Sequence, residues 1–169
     1  EWRISHIVTG EYYCEEIAAL MRSSLAKIVA AAPKLLTRDE AAVEAVTEGL
    51  ILSGIAMAYA EISRPASGLE HYFSHIWEML AIAHDQPHEL HGIQVGVGTV
   101  LTLNIMDRLR GMTPDEQAVQ RAIETFDPAA WEAEMRRVFG PTAQALIDKE
   151  YTQWHKNDPK GRMERFMRI

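Results

Sequence analysis

The spacing of helix start and stop signals constrains this chain more than any other feature. Pro33 closes a run from about Glu11 to Ala32, because proline supplies no backbone donor and clashes with the turn before it. Thr9 is the residue expected to accept from the first free amides of that helix. Thr37-Arg38-Asp39-Glu40 reads as a capping box, in which hydroxyl and carboxylate satisfy each other's backbone amides, and it opens a long helix to about Ile62, before Pro65. Ser67-Gly68-Leu69-Glu70 repeats the box and predicts a third helix through about Ala83. His84 to Leu90, containing Pro87, is then a loop, and a fourth helix runs from near His91 to Arg110. Thr113-Pro114-Asp115-Glu116 combines an N-cap, a proline at the first helical position and an acidic first turn; Asp127-Pro128 starts another helix by the same logic. Gly140-Pro141 ends that one and begins a last helix reaching about Trp154, which leaves His155 to Ile169, basic and rich in methionine, as a tail.

No alternating strand pattern bounded by Asn-Gly or Asp-Gly competes with this punctuation, and Ile17, Leu20, Met21, Ser24, Leu25 and Ile28 recur at helical spacing. The expected fold class is all-α, a helical bundle formed as one domain over residues 1–169. With 47% apolar residues the chain can build a core. A formal charge of -7, with basic residues scattered except from Lys156 to Arg168, excludes nucleic acid as the expected partner. Cys14 is the sole cysteine, so no internal disulfide can form, which suits the cytoplasm. The apolar stretches from Gly49 to Tyr59 and from Val95 to Leu103 fall short of the ~18 residues of a membrane span, so a soluble protein with no span is expected. The opening Glu1-Trp2-Arg3, without initiator Met or signal peptide, reads as a cut through the middle of an element. Gly49 and Gly54 in the second helix, and Gly96 and Gly98 in the fourth, each cost about 1 kcal/mol against alanine. Close packing, more than ligand contact, is the expected compensation for the Gly49 and Gly54 pair.

Chemistry concentrates in one window. His71, His75, His84, His88 and His91 fall within twenty-one residues. His71 and His75 stand four apart on a predicted helix and share a face, while His91, just past the loop, can fold back toward His71. Imidazoles on two neighbouring elements make a plausible divalent site for zinc, iron or nickel. A third ligand is needed, and Glu70, Glu78, Asp85 or a carboxylate outside the chain are the candidates. His84 and His88, beside Pro87, are expected in solvent, and His6 and His155 stand alone. No serine-elbow or phosphate-loop motif occurs, Cys14 is expected inside a regular helix, and Gly96-Val97-Gly98 follows no strand and is no dinucleotide fingerprint.

The stretch Ser63-Arg64-Pro65-Ala66-Ser67-Gly68-Leu69-Glu70-His71-Tyr72-Phe73-Ser74-His75-Ile76-Trp77-Glu78-Met79, followed by Leu90-His91-Gly92-Ile93-Gln94-Val95-Gly96-Val97-Gly98, resembles the sn-glycerol-1-phosphate dehydrogenase family, in its bacterial arabinose-operon branch. Thr9-Gly10-Glu11-Tyr12-Tyr13-Cys14 fits as well. Gly-x-Glu-His-x-x-x-His and His-Gly are shared with glycerol dehydrogenase, iron-containing alcohol dehydrogenases and dehydroquinate synthase, whereas Ser-Arg-Pro-Ala-Ser-Gly is the more specific part. The resemblance implies a dehydroquinate synthase-like C-terminal helical domain, its N-terminal nucleotide-binding α/β domain absent from this chain. It implies His71 and His91 as metal ligands and His75 as a catalytic residue facing substrate and nicotinamide. The third ligand, an aspartate, and the nicotinamide-binding residues then lie outside the chain. Position 93 is Ile where relatives often carry Glu. The implied activity is NAD(P)-dependent interconversion of dihydroxyacetone phosphate and sn-glycerol 1-phosphate in phospholipid metabolism, with one divalent metal (zinc, nickel or iron), in a cytoplasmic homo-oligomer. The chain by itself is expected to be inactive. The alternatives are a free-standing, non-catalytic helical domain with a structural or oligomerisation role, and a glycerol dehydrogenase-like or dehydroquinate synthase-like enzyme, although the substrate-binding lysines and arginines of the last are not located here.

Overall fold

Helices carry the chain, as its punctuation predicts, and no strand occurs among the described residues of this computed structural model, which are 1–155 and 158–168. The helices are α1 (Trp2–Thr9), α2 (Glu15–Ala31), α3 (Glu40–Ala60), α4 (Leu69–Ala83), α5 (His91–Leu109), α6 (Glu116–Glu124), α7 (Pro128–Phe139), α8 (Ala143–Lys149) and α9 (Pro159–Phe166). They cluster into two compact units, one of Glu1–His6 and Gly10–Gly68, the other of Ile7–Thr9 and Leu69–Ile169.

In the first unit Trp2 is the plug. Its indole is buried with Ile17, Ala56 and Ala60, donates through Nε1 to the Tyr12 carbonyl at 2.7 Å, and meets the Tyr13 ring edge-on at 5.0 Å. Arg64 ties down the same region: its Nε donates to Glu11 Oε1 at 2.8 Å and its other nitrogen reaches Ser5. Thus the Ser-Arg-Pro-Ala-Ser-Gly segment and the Thr9 to Cys14 segment are joined by an ion pair that is mostly withdrawn from solvent. The α2 periodicity holds for Ile17, Leu20, Met21, Ser24 and Ile28, while Leu25 faces out. Gly49 packs closely on α2, where a Cβ would lie 2.4 Å from Ile28 Cδ1, the movable end of that side chain, and 3.1 Å from Ser24 Oγ; beside Gly54 the space is open.

Several expected caps move by a few residues, each for a physical reason. Thr9 ends α1 instead of opening α2, because Gly10 follows at φ 77°, a left-handed stop suited to glycine, and donates to the His6 carbonyl. Cys14 consequently lies just before α2, where its thiol donates to Glu16 Oε2 at 3.1 Å. Thr37 donates to the Lys34 carbonyl, finishing a tight turn over Ala32–Thr37, and the acidic Asp39 caps α3 by accepting from the Ala42 amide at 3.1 Å. Asp115 displaces Thr113 in the same way, accepting from the Ala118 amide, so Pro114 stays outside α6. A carboxylate adds the helix dipole's attraction to the hydrogen bond, which favours aspartate over threonine. Asp127-Pro128 behaves as expected, its carboxylate accepting from the Ala129 and Ala130 amides. The tail contains α9, started by Asp158-Pro159 with Asp158 accepting from the Gly161 amide at 2.6 Å; Lys156 and Ile169, which bound the basic stretch and the tail, lie outside the described residues. The apolar run around Gly49 to Tyr59 also needs correction. All 21 residues of α3 are helical, and an 18-residue window within it reaches a mean hydropathy of 1.5. By length and composition alone α3 is therefore long and apolar enough to cross a membrane, a test that the core helices of globular proteins also meet.

The second unit is organised by the seam between α4 and α5. A Cβ on Gly98 would stand 2.6 Å from the Glu70 backbone carbonyl, so glycine permits the two backbones to touch. Nothing stands within 4 Å at Gly96. Ala143 and Ile147 of α8 are buried in the same unit, and Arg162 of α9 lies over the Phe126 ring at 4.5 Å. The glycine contrast can be checked by thermal or urea denaturation. Gly98→Ala should destabilise by about 1–3 kcal/mol through overpacking against backbone, whereas Gly96→Ala should gain up to about 1 kcal/mol from helix propensity.

Candidate functional site

The α4–α5 seam decides which histidines meet. His71, Ser74, His75 and Glu78 follow the i, i+3, i+4, i+7 spacing of one helix face, and His91 starts α5 opposite them. Ring centroids are 5.3 Å apart for His71 and His91, 5.9 Å for His75 and His91, and 6.3 Å for His71 and His75. Two imidazoles on one tetrahedral ion, each through a ~2.1 Å bond, place their ring centres roughly 5 Å apart. The pair drawn from two helices fits that span, and the i, i+4 pair is too wide for it. His84 and His88 are exposed in the loop, where His88 Nδ1 lies 3.1 Å from the Glu89 carbonyl, and Asp85 is exposed beside them at φ 50°.

Carboxylates settle the orientation of the rings. His71 Nδ1 lies 2.8 Å from Glu70 Oε1. Glu78 bridges the other two, with Oε1 3.2 Å from His91 Nδ1 and Oε2 3.4 Å from His75 Nδ1. An ionised carboxylate can only accept, so each of these contacts is a hydrogen bond when the ring carries its proton on Nδ1, the tautomer that keeps the lone pair on Nε2. Among the described residues none hydrogen-bonds those Nε2 atoms. Glu70 and Glu78, considered above as third ligands, therefore serve as orienting partners on the far side of the rings, an arrangement common behind metal-binding histidines. No group of three or more His, Cys, Asp or Glu among the described residues is arranged to hold an ion. What the seam offers is two imidazoles, His71 and His91, at a ring spacing that one ion could bridge, with His75 beside them.

Sequence spacing missed Glu78's double role and the buried Ser74 and Gln94 behind His91. The signal was present, since Glu78 is three residues from His75 and seven from His71. Its partners hold the Glu78 carboxyl below its ordinary value of 4.5: the His91 contact first, against the opposing effect of burial, then His75. A depressed value means that the contact's contribution is complete above the ordinary carboxylate range and is lost as pH falls through the lowered one. A carbon-detected titration of the chain should place the Glu78 midpoint below 4.5, and His91→Ala should raise it. A midpoint at or above the ordinary value in the unsubstituted chain would contradict the bridge.

A protein of Bacillus licheniformis named glycerol-1-phosphate dehydrogenase [NAD(P)+] is 32% identical over 158 residues, covering 89% of this chain and 39% of the relative. Proteins of the same name from Thermococcus kodakarensis and Pyrococcus furiosus are 42% and 41% identical over 112 and 101 residues, or 66% and 60% of this chain and 30% and 28% of theirs. No family model matches the chain, and neither does any solved structure. The chain thus spans less than two fifths of the length of these curated relatives. Over most of its own length it is a relative of the glycerol-1-phosphate dehydrogenases, corresponding to a part of them.

Proposed function

We propose that residues 1–169 are the C-terminal, metal-binding helical domain of an NAD(P)-dependent sn-glycerol-1-phosphate dehydrogenase, which interconverts dihydroxyacetone phosphate and sn-glycerol 1-phosphate. The observation that carries this reading is the His71–His91 pair, 5.3 Å between ring centres, with neither Nε2 hydrogen-bonded by a described residue, in a chain related to enzymes of that name. His71 and His91 would hold a divalent ion, and imidazole donors suit zinc, nickel or iron. The third ligand, a carboxylate, comes from outside this chain. Bound there, the ion supplies Lewis-acid polarisation of the substrate carbonyl, and the nicotinamide supplies the hydride.

The chain's own residues orient and move protons. Glu70 and Glu78 fix the rings of His71 and His91 through Nδ1. His75, more exposed than His71 and held by the second oxygen of Glu78, presents the basic Nε2, which would take the proton of the substrate hydroxyl in the oxidation direction and, as the imidazolium so formed, return it to the substrate oxygen in the reduction direction. The apolar outer side chains of α3, among them Leu50, Ile51 and Tyr59, are exposed in this chain and read as the surface on which a cytoplasmic homo-oligomer assembles. A helix apolar around most of its circumference is normally buried.

Two outcomes follow. The purified 169-residue chain should not reduce dihydroxyacetone phosphate with NADH or NADPH, since a metal ligand and the nicotinamide site lie elsewhere; turnover by it would contradict the reading. In the full-length protein, His71→Ala and His91→Ala should remove the metal and abolish turnover, whereas His75→Ala should keep the metal and lose about 10²-fold or more in rate. Metal analysis beside steady-state kinetics checks this, and equal metal loss in His75→Ala would reverse the assigned roles.

A further inference from the structure

We propose that Ser74 and Gln94 form a buried positioning pair that fixes His91 as its Nδ1–H tautomer and so keeps Nε2 open to a metal ligand bond. Both side chains sit inside the α4–α5 seam, Ser74 fully buried and Gln94 6% exposed. Two polar groups in a helix seam cost free energy unless they are hydrogen-bonded to each other or to a neighbour. Here they are bonded in series. Ser74 Oγ donates its only proton to Gln94 Oε1 at 2.8 Å and stands 3.0 Å from His91 Nδ1. Having spent its proton on the amide, the hydroxyl can only accept from the ring, so Nδ1 carries the hydrogen. A neutral imidazole has one N–H, which leaves the lone pair on Nε2.

Glu78 makes the same demand on Nδ1 but is divided between two rings and partly exposed. The serine is not shared, and Gln94 sits one turn after His91 on α5, so the pair tracks the ring as a unit. The seam at Gly98 is what brings Ser74 of α4 within reach of both. The ligand at Nε2 rests on the dehydrogenase reading, whereas the tautomer is a property of the metal-free chain and can fail or stand by itself.

The test is a histidine-labelled ¹⁵N–¹H long-range correlation spectrum of the metal-free chain at about pH 8, where an ordinary imidazole is neutral. His91 is assigned by the signal lost in His91→Gln. The unsubstituted chain should show His91 protonated on Nδ1. In Ser74→Ala and in Gln94→Met, with helical circular dichroism retained, the Nε2–H population of His91 should rise about tenfold, the equivalent of one net hydrogen bond. His91 carrying its proton on Nε2 in the unsubstituted chain would overturn the proposal, since it would mean that Gln94 donates to Ser74 and Ser74 to the ring. An unchanged Nδ1–H state in both folded variants would overturn it equally, because Glu78 alone would then set the tautomer.

Discussion

The candidate site depends on one close approach, the backbone of α5 at Gly98 against the Glu70 carbonyl of α4. A side chain at position 98 would hold the helices apart by the width of a methyl group at least. At that separation Ser74 could not reach His91 while bonded to Gln94, and Glu78 could not bridge two rings. Glycine costs about 1 kcal/mol in a helix, and the contact shows what offsets it: a seam tight enough to bury polar side chains in hydrogen-bonded pairs. Packing at Gly98 thus sets the geometry of groups two turns away, near the start of α5.

The second consequence concerns protons. Each of three imidazoles meets a carboxylate on Nδ1, and one also meets a buried hydroxyl. Electrostatics then decides what the cluster can do. With Nδ1 protonated, the Nε2 atoms are the basic nitrogens of these rings, and the carboxylates stay behind them on the Nδ1 side. The rings of His71 and His91 have the span of a single ion, and His75 stands wider from His71. Among the described residues no group of three such side chains is arranged to hold an ion, since Glu70 and Glu78 are turned to Nδ1 of the rings.

Much of this was legible in the sequence, and what was not has physical causes. Asp-Pro and Gly-Pro pairs located α7 and its end because those residues act through their own backbone, independent of tertiary contacts. Thr9, Thr37 and Thr113 were misleading because each has a competitor close by: Gly10 takes a left-handed stop, and Asp39 and Asp115 combine a hydrogen bond with a charge. The histidine cluster was visible from spacing and from resemblance. The roles of Glu70 and Glu78 were not, since spacing says that a carboxylate is near a ring without saying which nitrogen it faces. Ser74 and Gln94 read as ordinary polar positions until the helix seam buried them. The extent of α3 was legible from its start and stop signals, but its apolar character was not read from the short run between Gly49 and Tyr59, because a helix tolerates glutamates within a mostly apolar 18-residue window.

In the proposed dehydrogenase, His71 and His91 would converge through Nε2 on one ion whose remaining ligand comes from outside this chain. Anomalous diffraction at the zinc edge from zinc-loaded crystals of the full-length protein tests it most directly. A single peak about 2.1 Å from Nε2 of both residues, with a carboxylate contributed from beyond residues 1–169 and His75 left out of the coordination shell, is the predicted result. A peak between His71 and His75, or one bound through Nδ1 with the Glu70 or Glu78 contact broken, would contradict it.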